Sequence, residues 1–505
     1  MTGGDFRQAA LSGARWMLAS KIGLQLFTWP VTILVIRLLE PGDYGLLAMA
    51  MVTISFVALF SEMGLGMALV QAEKLDDATA RSACAAIIAC NVALAGVLAL
   101  LAPLAALWFG EPAVVPVMRT LTLELLISAL AAVPQAQLER RLRFRQLSIA
   151  SIAGGAVGAT LTLVLAFLDF DVWALVFGNL GNALVRSALL VFFNGAMVWP
   201  SLRHGLAPVR GLIRFSAQVL AARFLWTWFG QADQLVLARL LHASLLGAYN
   251  VAAQLAMLPA NKAMEIINRV AFPILSRMGS QRADLQAMHA RLLALVATYA
   301  FGACWGLAAL APELVTTLFG DKWHAATLPL TLLAAVAPLR MLSALNNTVT
   351  SAAGVPKAST QELAVASVLL PVAVLAGALL DGLRGACLAW PLAYPLVYLL
   401  SNALTCQVVA SPQRRALLPL VPAMMAGALM WLFIWVLRGQ LAGYLPAGAS
   451  LVVELLTGAV SYAVALRLLA PALAHDVRVL TTDLLRPARP TADAAGAPRQ
   501  GSLPG

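Results

Sequence analysis

The chain has 505 residues, of which 61% are hydrophobic and only 11% charged, and its mean hydropathy is +0.85. A balance this apolar excludes a soluble protein of ordinary makeup and leaves a chain that is mostly embedded in lipid. The formal net charge of +11 would suit a nucleic-acid partner by amount, but the basic residues outside the spans are concentrated in alternate loops. Spanning the hydrocarbon takes about 20 apolar residues per helix. Fourteen candidate spans are predicted, starting near Ala14, Tyr44, Arg81, Val114, Gln146, Asp171, Phe215, Leu245, Met288, Ala325, Thr360, Leu383, Ala416 and Pro446. Breakers rich in Gly, Pro and acids separate them, among them LEPGDYG, FGEPAVV, FLDFDVW, LFGDKW, LLDGLRG and LAGYLPAG. These connections are too short to hold a soluble domain; in LEPGDYG, Pro41 and Gly42 are expected to end helix 1, Asp43 to lie in the turn and Gly45 to permit tight re-entry of helix 2.

In chain order, the polar N-terminal stretch Met1–Arg15 lacks a cleavage site before the first span, so helix 1 is expected to be retained. Within it Lys21, Gln25, Thr28 and Thr32 follow the spacing of one helical face. Helix 2 carries Glu62, helix 4 Arg119 and Glu124, and helix 6 Asn179, Asn182 and Arg186. The basic, Pro-broken segment Pro200–Phe215 is expected on the cytoplasmic interface. Helix 7 adds Arg223 and Asp233, and helix 8 is the most polar span, with Asn250, Gln254, Asn261, Glu265 and Asn268 on one face and Lys262 and Arg269 about 100° round it. Helix 10 adds Arg340, Ser343, Asn347 and Ser351. Polar groups at membrane depth are costly and tend to face a bundle interior or a water-filled cavity. Arg119, Arg186 and Arg269 lie near helix ends, where snorkelling to the headgroups explains them without a site.

With the N-terminus inside, the inner segments hold Arg81, the Arg140–Arg145 cluster, Arg203, Arg210, Arg277, Lys357, Arg414 and Arg415. The outer ones hold Glu40, Asp43, Glu111, Asp169, Glu313 and Asp321, with Lys322 and Arg384 as their basic residues away from helix boundaries. This is the positive-inside pattern. It puts both termini in the cytoplasm and removes the argument for nucleic acid. A second regularity is a repeat: a shift of 202 residues brings Ala19–Ala50 onto Ala221–Ala252 with identities including Phe27/Phe229, Arg37/Arg239 and Gly45/Gly247, and sets Lys21 on Arg223 and Thr32 on Gln234. An offset of six helices implies parallel repeats, helices 1–6 and 7–12, as in transporters. The predicted organisation is therefore an N-lobe over residues 1–193, an interfacial linker over 194–213, a C-lobe over 214–409, helices 13 and 14 within 410–470, and a disordered cytoplasmic tail over 471–505.

Cys84, Cys90, Cys304, Cys387 and Cys406 all fall inside spans without paired CxxC spacing and read as apolar thiols. The histidines are scattered without metal or nucleophile spacing, and no GxxxxGK[ST] loop occurs. A membrane glycan polymerase, ligase or glycosyltransferase would need a larger outward loop or a soluble domain, so no enzyme is expected.

The segments Arg37–Gln71 and Gly247–Met278, with the polar helix 10 ending in AAGVPKAS, resemble the polysaccharide flippases of the MOP superfamily, in particular the Wzx-type exporters of O-antigen or exopolysaccharide repeat units in the colanic-acid and xanthan-like branch. The resemblance runs from about Phe6 to Ala470. It implies an all-α membrane protein of two six-helix lobes forming a V, plus two appended helices. It also implies an undecaprenyl-diphosphate-linked oligosaccharide turned by alternating access across a bacterial inner membrane. The partners it implies are membrane lipids and the polymerase and export machinery of the same polysaccharide. A multidrug cation antiporter of the same superfamily is the alternative. Anionic phosphates crossing a medium of low dielectric need buried cations, and Lys21, Arg223, Lys262 and Arg340 are the candidates. Gln25, Asn250, Gln254, Asn261 and Asn347 would hydrogen-bond sugars, and Glu62, Asp233 and Glu265 are candidates for proton or Na⁺ coupling. No cofactor is expected beyond such an ion gradient.

Overall fold

In the computed structural model the described residues are 23–25, 27–61, 69, 76–195, 198–201, 210–278, 282–441 and 444–471, and every regular element among them is helical. Lys21, Glu62, linker residues 202–209 and the tail from residue 472 lie outside them, as do the side chains of 210–222, Asn268 and Arg269. Helix α1 is Gly23–Leu38. There follow α2 (Pro41–Ser61), α3 (Asp77–Phe109), α4 (Val114–Arg140), α5 (Phe144–Phe167), α6 (Val172–Asn194), α7 (Arg210–Leu240), α8 (Ala243–Met278), α9 (Arg282–Ala309) and α10 (Thr327–Ala352). The stretch Pro356–Val408 is two helices, α11 (356–380) and α12 (383–408), because Asp381 (φ −147°) and Gly382 (φ 52°, ψ −133°) break the helical backbone between them. Gly377 and Gly385 let this hairpin close tightly, since a Cβ on either would lie within 2.2 Å of the other's carbonyl oxygen. Helices α13 (Leu420–Leu441) and α14 (Ala447–Leu469) complete the chain. Ten of these segments, with 356–408 counted once, are long and apolar enough to cross a bilayer. The polar helices α7 and α8 fall outside that set.

The turn LEPGDYG is built as a helix start. Pro41 occupies the first position of α2, where a missing N–H costs nothing, and Asp43 Oδ2 accepts a hydrogen bond from the Glu40 amide at 3.0 Å, as the reciprocal half of a capping box does. Gly45, read from the sequence as easing the re-entry of helix 2, does something else. It lies within α2, is not among the glycines of positive φ, and packs against the start of α8. A Cβ on Gly45 would sit 1.8 Å from the Ala243 carbonyl oxygen, and one on Gly247 would sit 1.8 Å from the Pro41 carbonyl oxygen. The repeat offset of 202 makes Gly45 equivalent to Gly247 and Pro41 to Ala243. α2 and α8 therefore meet through these four residues, Gly45 on Ala243 and Gly247 on Pro41.

A second clasp lies at this end. The last carbonyls of α1 have no partner within their own helix, and residues of the connection between α9 and α10 supply donors. Trp323 Nε1 donates to Ile36 O at 2.8 Å. Lys322 Nζ donates to Leu38 O at 2.9 Å and pairs with Glu40 Oε1 at 3.2 Å. Trp323 is fully buried and meets Tyr44 edge to face, with centroids 5.4 Å apart. One apolar core, including Met49, Met118, Leu121, Leu237, Tyr249, Trp323 and Trp390, runs through both halves of the chain here. Toward the opposite end the cores separate. The C-terminal half packs Leu275, Leu293, Leu345 and Tyr398 together, while the N-terminal half forms its own clusters around Ile87 with Val133 and around Leu138 with Leu190. Among the described residues the shared core lies toward one end and the separate cores toward the other, where Phe56 of α2 still meets Phe224 and Trp228 of α7.

Helices α13 and α14 are held against α9 and the residues that follow it. Arg438 donates to Ala309 O at 2.6 Å and pairs with Glu313 and, at 3.1 Å, with the buried Glu454. Tyr462 donates its hydroxyl to Thr298 O at 2.6 Å. All five cysteines are free thiols, four of them buried and Cys90 partly so.

Candidate functional site

The principal cavity, of about 1070 Å³, lies between α1, α8, α9, α13 and α14. Its two walls differ in chemistry. One carries Gln25, Thr28 and Thr32 from α1 with Gln254 and Lys262 from α8; the other carries Leu295, Leu307, Met430, Ile434, Leu455 and Leu466. The α1 residues share one helical face because their spacing repeats every turn, and that face is the one turned to the cavity. No carboxylate is among the described lining residues. Asn250 sits behind the polar wall: it donates to Gln234 Oε1 at 3.0 Å and accepts from Gln254 Nε2. Its amide thereby orients Gln254 at the cavity surface.

The remaining candidates are distributed. Arg223 lines a second pocket of about 510 Å³, between Ser55, Ala58 and Leu59 of α2 and Trp226, Thr227, Gly230 and Gln231 of α7. Arg340 is half-buried and lies over the Trp390 ring, 4.9 Å from its centroid. Trp390 Nε1 donates to Tyr249 Oη at 3.0 Å, and Tyr249 donates to Asp233 Oδ2 at 2.6 Å. Asp233 thus belongs to a network inside the C-terminal half, where Arg340 supplies the nearby positive charge. Asn261 is exposed on α8, next to Lys262, and Glu265 one turn on is half-buried and engaged in a polar interaction. Lys21 and Glu62 are outside the described residues.

Residues 34–328 match the family model described as polysaccharide biosynthesis protein. The chain belongs to this family. It is 27% identical over 337 residues to the lipopolysaccharide biosynthesis protein WzxC of Escherichia coli (strain K12), covering 66% of this chain and 68% of that one. It is 28% identical over 313 residues to the succinoglycan biosynthesis transport protein ExoT of Rhizobium meliloti (strain 1021), covering 61% of this chain and 62% of that one. Among solved structures it shares its fold with the lipid II flippase MurJ in an inward closed conformation, at a TM-score of 0.69 and 12% identity over 93% of this chain and all of that one. A multidrug resistance MATE family transporter in an inward-facing conformation matches at a TM-score of 0.62 and 13% identity, over 77% of this chain and 94% of that one.

This family member also holds polar groups that sequence reading did not single out. Glu362 on α11 is 5% exposed, and its carboxylate is approached by Ser343 and Asn347 of α10 and Ser401 of α12. Asn347 therefore serves a carboxylate inside the C-terminal half. His289 of α9 is buried, with Nε2 2.9 Å from Asn346 Oδ1. The signal was present in the sequence: Glu362 is the lone acid in its span, close behind the predicted start at Thr360.

Proposed function

We propose that this chain is a flippase that carries undecaprenyl-diphosphate-linked oligosaccharide repeat units across a bacterial inner membrane by alternating access. The observation that carries the reading is the two-faced cavity: amides, hydroxyls and Lys262 on one wall and aliphatic side chains of α9, α13 and α14 on the other. A ligand with a sugar-phosphate head and an isoprenoid chain matches both walls, and an anionic headgroup finds a cation there rather than an acid. The absence of a carboxylate among the described lining residues weighs against an organic-cation antiporter. No chemistry on the glycan is proposed. In a strain lacking its native exporter, expression of this chain should clear lipid-linked repeat units from the cytoplasmic leaflet and restore surface polysaccharide. Accumulation unchanged from the empty strain, with the protein present in the membrane, would reject the reading.

The proposal includes fourteen membrane crossings, in two six-helix lobes with α13 and α14 appended, and both termini in the cytoplasm. Separate cores at one end and a shared core at the other support a V that opens toward the basic, cytoplasmic side. Asp169, Asp321 and Arg143 are all exposed at loop positions, so cysteines there are accessible from whichever side they face. Cysteines at Asp169 and Asp321 should react with an impermeant reagent added to intact cells, and one at Arg143 should not. Labelling at Arg143 would reverse the orientation and with it the direction of transport. We further propose that a monovalent-cation gradient supplies the driving force.

A further inference from the structure

Resting on the flippase reading, we propose that Glu362, with Ser343, Asn347 and Ser401 around its carboxylate, is the proton-binding site through which the gradient acts. The argument starts from burial. Glu362 is 5% exposed and forms no ion pair among the described residues. An ionised carboxylate held this way costs several kcal/mol unless a positive charge balances it, so a proton or a cation has to accompany it. The groups around it are hydroxyls and amides, which can hydrogen-bond to the protonated and to the ionised form alike.

A second titratable group lies one relay away. Ser401 faces Glu362 and also accepts from Asn346 Nδ2 at 3.4 Å, and Asn346 Oδ1 lies 2.9 Å from His289 Nε2. The buried Ser343 Oγ of α10 and the buried Tyr398 Oη and Asn402 Nδ2 of α12 have no hydrogen-bond partner among the described residues, so the network can rearrange when charge changes. The ionisable group nearest in this network is Tyr394 of α12, which lies between Glu362 and Arg340 of α10. Arg340 is itself engaged with Trp390.

The site and the cavity share helices. α9 carries His289 at one point and the cavity residues Leu295, Thr298 and Tyr299 further along. A change in charge at Glu362 alters the packing of α10, which contacts both the α11–α12 hairpin and α9, and so biases a wall that the substrate touches. That is differential binding to two states, which is what coupling requires.

The test is infrared difference spectroscopy of the purified, reconstituted full-length chain between acid and neutral pH, run beside gradient-driven transport of lipid-linked oligosaccharide. A carboxylic-acid C=O band should appear on acidification, vanish in Glu362→Gln and persist in Asp233→Asn. Glutamine copies the neutral acid in size, so Glu362→Gln should fold and still bind substrate. Its gradient-driven transport should fall at least about tenfold, roughly the effect of losing one kind of transition-state or state-selective contact, and Glu362→Asp should recover part of it. A band unchanged in Glu362→Gln, or one that follows Na⁺ and ignores pH, overturns the proposal. Failure of the flippase reading shows separately, as absence of any transport by the wild-type chain while the band still answers for Glu362.

Discussion

Gly247→Leu and Gly45→Leu will each abolish export while leaving the protein in the membrane. A Cβ alone at either position lies 1.8 Å from a backbone carbonyl oxygen of the opposing helix, a contact that no rotamer change relieves. Overpacking a close-packed interface typically costs about 1–3 kcal/mol, and more where backbone must move. The helices escape this cost by separating, so the variants should be driven toward a state open at the end that is closed in the structure. A cysteine placed at Thr32, which lines the cavity, should then react faster with an impermeant reagent added outside. Gly42→Ala is the control, because a Cβ there meets nothing within 4 Å, and it should export normally. Normal export by Gly247→Leu with unchanged labelling would show that the reciprocal crossing does not limit the transport cycle.

Neutralising the two pocket cations should have the next largest effect. Lys262→Gln removes the positive charge from the principal cavity, and Arg223→Gln removes it from the pocket between α2 and α7. If diphosphate passes either point, it loses a partner in a medium where an uncompensated ion costs several kcal/mol. Export should drop at least about tenfold in each variant, the change that ~1.4 kcal/mol brings. Lys262→Arg should retain most of its export, since charge matters more than shape for a ligand that must move. Snorkelling predicts the reverse, tolerance of neutral polar replacements. Full export by the Lys262→Gln, Arg223→Gln double variant, measured by clearance of lipid-linked repeat units, would remove the cationic pathway from the mechanism. Arg340→Gln should behave differently, lowering protein abundance before transport, because Arg340 lies against Trp390 in the network that holds Asp233.

The sequence by itself determined that this chain lives in a membrane and where its helices run, because length and apolarity of a span are local properties answered by the bilayer alone. It also determined which side chains share a face. The stripe of Gln25, Thr28 and Thr32 follows from spacing within one element. What a face meets was decided only by tertiary structure, since helical periodicity sets an angle about one axis and says nothing of the neighbouring axis. Gly45 looked like a turn residue because its partner, Ala243, lies 198 residues away. Lys262 and Arg223 looked like members of one cavity, yet packing of α2 against α7 gives Arg223 a pocket of its own. Glu362 stands in the sequence only as the lone acid of its span, and it is α10 and α12 that bring Ser343, Asn347 and Ser401 to it. Burial depends on three helices brought together by packing, and no residue's own segment records it.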